Sequence, residues 1–226
     1  MNLVFNGLSL ASIILLASLG LAITFGLMRV INMAHGEFMM IGAYTTYVVQ
    51  GLAQKYISKD AADLGYFLSI FVAFAVTFLI GSLLETLVVS RLYGREIDSL
   101  LATWGISLIL QQAARSIFGT QGVLVTTPKI LSGSIKIGGA SLSLTRLFII
   151  ALVALCLLFV WVLMYRTNFG RQMRAVMQHR PMAQCLGINS RKIDNLTFSI
   201  GSGLAGIAGC SIALLGSIDS TVGQNY

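Results

Sequence analysis

Residues 166–195 read RTNFGRQMRAVMQHRPMAQCLGINSRKIDN and form the only long polar island between two strongly apolar runs, 147–165 and 196–216. Six of the fifteen Lys and Arg residues sit in this island: Arg166, Arg171, Arg174, Arg180, Arg191 and Lys192. Its middle carries a short helix signal. Pro181 suits a first helical position, where a missing N–H costs nothing, and Gly187 suits the left-handed stop. An exposed basic loop with a helix inside it is a docking surface. The apolar runs on either side decide the fold, an all-α, polytopic membrane helix bundle.

Composition supports that class. The 226 residues are 56% hydrophobic and only 10% charged, against about 25% charged in a soluble domain. The net charge is +7, but the basic residues lie in short connections between apolar runs, where topology needs them. That excludes a nucleic-acid patch. Cys156, Cys185 and Cys210 are scattered, without metal-ligand spacing, and read as inert thiols. No metal site and no cofactor are expected. The N-terminus lacks a basic n-region and its first apolar run is too long for an h-region, so no cleavable signal peptide is expected.

Working outward, the apolar runs are 1–28, 38–54, 66–90, 99–114 (extended to about Phe118), 147–165 and 196–216. About six transmembrane helices follow. Residues 119–146 differ: turn residues, Pro128 and alternating segments such as Ser134-Ile135-Lys136-Ile137 point to a short β-hairpin. Gly133, Gly138 and Gly139 would each weaken a helix there by about 1 kcal/mol. If 166–195 is cytoplasmic, Arg29, Arg91 and Arg95 join its six cations inside. Lys55, Lys59, Arg115, Lys129, Lys136 and Arg146 fall outside, nine against six. The expected orientation is N-terminus outside and C-terminus outside. In the last run Gly201, Ala205 and Gly209 lie four apart, with Ser202 and Gly206 one residue on. Small residues at that spacing let helix backbones approach closely in lipid.

A further motif, Asn32-Met33-Ala34-His35-Gly36-Glu37-Phe38, places a His and a Glu two residues apart, which cannot share one helical face. Two readings stand. Gly36 marks a half-helix junction lining a cavity, where free backbone groups bond a polar solute. Alternatively this is a cytoplasmic turn, with Glu37 favoured near the start of the second helix by the helix dipole.

INMAHGEFMMIGAY (31–44) resembles the signature of the membrane subunits of branched-chain amino acid ABC importers. Gly170-Arg171, Arg174-Ala175, Ala183 and Gly187-Ile188-Asn189 are similar to the cytoplasmic loop of the same family, which docks the ATPase. The wider importer pattern, Glu-Ala-Ala, three residues, Gly, is kept only at Ala183 and Gly187. LLATWGISLILQQ (100–112) and AYTTYVVQ (43–50) look like the urea-transport subgroup. Members of the family usually continue beyond the equivalent of Tyr226, so residues 1–226 read as one permease domain lacking the family's C-terminal spans.

The resemblance implies a multi-pass permease of the bacterial inner membrane that does no covalent chemistry. ATP hydrolysis would belong to a separate ATPase that grips 166–195 at Arg171, Arg174, Arg180, Pro181, Ala183 and Gly187. A second homologous permease, an extracytoplasmic substrate-binding protein and membrane lipid complete the partners, with no nucleic acid among them. The same cations also suit topology determinants or lipid headgroup contacts. Urea, small and neutral, would want amide and hydroxyl partners; Asn32, His35, Glu37, Thr103, Gln111 and Gln112 are the candidate path. Each also suits an interhelical hydrogen bond worth about 0.6–2 kcal/mol. Glu85, near the end of the third run, can reach water or Arg91. The alternatives are a branched-chain amino acid or short-amide importer, for whose charges His35 and Glu37 would matter more, and a passive urea or amide channel. An intramembrane enzyme comes third, with only two His residues available.

Overall fold

A backbone in lipid has no water to satisfy its N–H and C=O groups, so the apolar runs bond to themselves as helices. The computed structural model describes residues 2–28, 30–56, 62–137 and 140–224. Arg29 and Lys59, which entered the charge comparison, lie outside these residues, as do Gly138, Gly139 and Tyr226. In chain order the helices are α1 (Asn2–Met28), α2 (His35–Tyr56), α3 (Ala62–Leu87), α4 (Glu96–Phe118), α5 (Leu144–Arg166), α6 (Asn168–Gln178), α7 (Arg180–Cys185) and α8 (Ser190–Ala213).

Six of them are long. Those in α1, α3, α5 and α8 are also apolar enough to cross a membrane, by length and composition. The other two, α2 and α4, have the length but carry polar side chains on their inner faces. Glu37, Thr46 and Gln50 of α2 are buried, as are Ser99, Thr103, Ser107 and Gln111 of α4. The last four recur every four residues, one stripe along one helix face. The expected hairpin is present: β1 (Ser134–Ile137) pairs antiparallel with β2 (Ala140–Ser143), Ser134 opposite Ser143. Gln50 fixes the loop before it, donating to the Thr126 carbonyl at 2.6 Å and accepting from its N–H at 2.9 Å.

The bundle is organised around α8. It packs against α1, α2 and α3, and 94% of its span is buried, so it touches protein rather than lipid. The small residues of its sequence make that possible. A Cβ added to Gly201 would come within 2.7 Å of the Gly20 carbonyl oxygen, so α1 and α8 meet backbone to backbone. Gly209 lies against the Met39 carbonyl of α2 and Gly206 against Thr77 of α3, and Ala205, between Gly201 and Gly209 in sequence, is fully buried. By contrast α5 exposes Leu155, Leu158, Phe159 and Trp161, an apolar surface suited to lipid.

One end of α1 is marked by Arg146, which donates to the Asn6 carbonyl at 3.2 Å; the other end lies beside Met177 of α6. The first residue of α2, His35, reaches the Ala17 carbonyl in the middle of α1 at 3.0 Å. Helix α2 therefore begins at mid-depth. Residues 30–34 run back into the bundle without helical structure, one of the two arrangements the sequence left open. The segment after α8 folds back from the opposite end. Ser220 accepts from Arg115 at 2.9 Å, a 3-10 turn (Val222–Gln224) packs on α2, and the Gly223 backbone meets Gly36. Two re-entrant segments thus touch in the interior.

Candidate functional site

Beside that contact is a cleft of about 540 Å³ between α1, the start of α2, α4 and residues 223–224. Ser18, Asn32, His35, Glu37, Trp104 and Ser107 line it. Each polar residue of the motif arrives there for a local reason. Asn32 Oδ1 accepts the Ala34 N–H at 3.1 Å, an Asx turn that starts α2. His35 faces α1: its Nε2 bonds the Ala17 carbonyl, which can only accept, so Nε2 carries the proton and Nδ1 is left an acceptor. Glu37, two residues on, faces α4 instead. Its Oε1 accepts from Ser107 Oγ at 2.9 Å and Gln111 Nε2 at 2.7 Å.

Asn32, His35 and Glu37 are 5%, 7% and 1% exposed, yet each has a polar atom without a partner: Asn32 Nδ2, His35 Nδ1 and Glu37 Oε2. A buried polar group left unbonded is uncommon, and the three residues that carry one here line the same cleft. Thr103 stands behind them. Its hydroxyl accepts the Met33 N–H at 3.2 Å and lies 3.3 Å from the Ile31 carbonyl, pinning the re-entrant segment to α4. Gln111 completes the support of Glu37. Gln112 is exposed on another face of α4 and does not line the cleft. The half-junction reading of the motif is thus the one its geometry matches. Ser107 and Trp104 were missed in sequence, although Ser107 lies four residues from both Thr103 and Gln111.

The polar island folds as two helices, not one. The first, α6, is capped by Thr167, whose hydroxyl accepts the Gly170 N–H at 3.2 Å, and buries Gly170, Met173 and Val176. The second, α7, is capped by His179 Nδ1, which accepts the Met182 N–H at 3.1 Å; Pro181 sits in its first turn. The chain turns away at Gly187 with φ +83°, a conformation glycine adopts without strain. The three arginines part company here. Arg171 is exposed and bonds Asn168 Oδ1. Arg174 turns inward to the Met164 carbonyl, its guanidinium 5.4 Å from the Tyr165 ring. Arg180 pairs with Asp194 of α8, which is fully buried, and lies 4.6 Å over the Tyr93 ring in the α3–α4 connection. Burial, with the Asp194 and Glu85 carboxylates nearby, pushes the Tyr93 phenol above its usual range, so it stays neutral. Ala183 faces inward. The outward tip of α7 is apolar instead, with Met182 and Leu186 at 60% and 75% exposure. Glu85 does not reach Arg91; it accepts from Asn195 of α8 at 2.9 Å.

Residues 3–226 match the family described as branched-chain amino acid transport system / permease component. The chain belongs to that family. It is 29% identical over 209 residues to the high-affinity branched-chain amino acid transport system permease protein BraD of Pseudomonas aeruginosa, covering 90% of this chain and 67% of that protein. LivH of Escherichia coli K12, described in the same terms, is 26% identical over 224 residues, 91% of this chain and 68% of that one. A probable LivH of Methanocaldococcus jannaschii is 26% identical over 222 residues, 95% and 66% respectively. The chain thus spans about two thirds of these relatives. No solved structure matches it. The names of these three relatives give branched-chain amino acids, not urea, as what they transport. The stretches that suggested urea have packing duties in the structure: 100–112 supplies the buried stripe of α4, while Tyr44 stacks on Phe118 at 4.3 Å and Thr46 bonds the Gly42 carbonyl at 3.0 Å.

Proposed function

We propose that this chain is the membrane-embedded permease subunit of an ABC importer for branched-chain amino acids, in a bacterial cytoplasmic membrane with its N-terminus outside. Residues 1–226 act as one permease domain and 166–195 as the cytoplasmic docking segment within it. A separate ATPase grips α6 and α7 from the cytosol, a second homologous permease completes the path, and an extracytoplasmic binding protein delivers the solute. The path includes the cleft at Asn32, His35 and Glu37, with Thr103 and Gln111 as its supports.

The observation that carries this reading is the attachment of α7 to α8. A rigid-body push on a short surface helix does work only if something inside moves with it. Arg180 ties α7 to Asp194 near the start of α8, the helix that contacts α1, α2 and α3. Displacement of α7 is therefore delivered to the centre of the bundle. Pro181, Ala183 and Gly187 shape the docking helix α7, Met182 and Leu186 are its apolar contact surface, and Arg171 of α6 is an exposed cation of the same segment.

Uptake of labelled leucine and labelled urea in a deletion strain complemented with this chain tests the reading. Leucine uptake that exceeds urea uptake and stops when ATP is depleted is the expected result; urea uptake exceeding leucine uptake rejects the substrate. Replacing Ala183 and Gly187 with bulky residues separates an importer from a channel. An importer loses ATP-coupled uptake, whereas a passive channel keeps its flux.

A further inference from the structure

We infer that the cleft at the start of α2 binds the polar head of an α-amino acid zwitterion in one orientation, its ammonium group on Glu37 Oε2 and His35 Nδ1 and its carboxylate toward Asn32 Nδ2; this rests on the permease reading above. The three unpartnered buried atoms are two acceptors and one donor. An ammonium group offers three N–H donors and a carboxylate only acceptors, so the open valences of the cleft are the complement of that head group. The donor belongs to Asn32, in the non-helical segment three residues before α2 begins, whereas the two acceptors lie on the first turn of that helix. Unwound or half-helix ends at mid-depth hold charged solute groups in this way.

Charge points the same way. Arg95 pairs with Asp98 and Arg180 with Asp194; Glu37 belongs to neither pair, and its two bonded partners, Ser107 and Gln111, are neutral. A carboxylate held at mid-depth without a cation is costly, and a solute ammonium supplies the missing charge. Urea, being neutral, supplies none. Around the polar atoms the cleft is apolar: Ile14, Leu21, Met33, Met39 and Trp104 give a branched aliphatic side chain somewhere to lie. The motif residues therefore divide into a head-group set and a surrounding wall.

The test uses the assembled complex, in a Cys185→Ser background with Ser18→Cys as reporter. Ser18 is exposed and lines the cleft, while Cys156 and Cys210 are buried. Leucine slows modification of the reporter by a neutral maleimide at least about threefold, and 4-methylpentanoate, which lacks the ammonium group, does not. Equal protection by the two overturns the orientation. In a second measurement Glu37→Gln, which keeps the size and the Oε1 acceptor, lowers leucine uptake about 30-fold with the chain present and assembled at the wild-type level. Glu37→Gln uptake above half that of wild type overturns the inference while wild-type uptake upholds the permease reading. Absence of ATP-dependent leucine uptake by the wild-type complex overturns the permease reading instead, and the inference with it.

Discussion

The Arg180 guanidinium is paired with a carboxylate that has no exposed surface. Removing this guanidinium, itself 35% exposed, leaves the buried carboxylate without its partner and costs about 1–3 kcal/mol. Arg180→Gln is therefore expected to lower the unfolding free energy of the purified permease by that order. Arg180→Gln with Asp194→Asn recovers part of it, because no lone charge remains. Both variants raise the ATP hydrolysed per leucine imported, since α7 is no longer tied to α8; an unchanged ratio would remove Arg180 from the transmission route. Met182 and Leu186 give a different outcome. Changing both to Asp puts charges on the apolar tip of α7, outside the bundle. Co-purification of the ATPase falls about tenfold or more, while the amount of permease in the membrane does not change.

At the scale of elements, α2 and α8 are held by contacts in which one residue has no side chain. A Cβ on Gly209 would overlap the Met39 carbonyl, so Gly209→Val must part the two helices. The expected loss is about 1–3 kcal/mol, read as a lower thermal unfolding temperature in detergent. Gly105 of α4 has open space where a Cβ would be, and Gly105→Ala is neutral or stabilising by up to about 1 kcal/mol. Six long helices and the hairpin were legible because hydropathy and glycine placement are local signals. Helix α6 was not read, because Phe169, Met173 and Val176 are spaced among polar and basic neighbours that dominate the composition. The mid-depth start of α2 was open in the sequence, since Gly36 suits a surface turn and a buried junction equally; the bond from His35 to Ala17 decides between them. The inward turn of Arg180 was illegible for another reason. Its partner is fourteen residues away, on the far side of a turn whose direction is set by Gly187.

For the whole molecule, Arg91, Arg95, Arg166, Arg171, Arg174, Arg180, Arg191 and Lys192 gather at the end that carries α6 and α7. Lys55, Arg115, Lys129 and Arg146 belong to the opposite end. This distribution is what the proposed orientation, with the α7 end in the cytosol, requires. Cys185 is a native reporter of it, being exposed on α7 while Cys156 and Cys210 are buried. A membrane-impermeant thiol reagent is expected to leave intact cells unlabelled and to label one thiol, Cys185, in inverted vesicles. Labelling of intact cells would place the docking segment on the wrong side for any ATPase.

Where Gly36 meets Gly223, two bare backbones touch in the interior of the bundle. No side chain has to change rotamer for that seam to part, and a methyl group on either residue would wedge it. A partition this thin, made of segments anchored at opposite ends, can yield to a small rotation of one of them. On the permease reading proposed above, the permeability barrier and the moving joint would be the same few atoms.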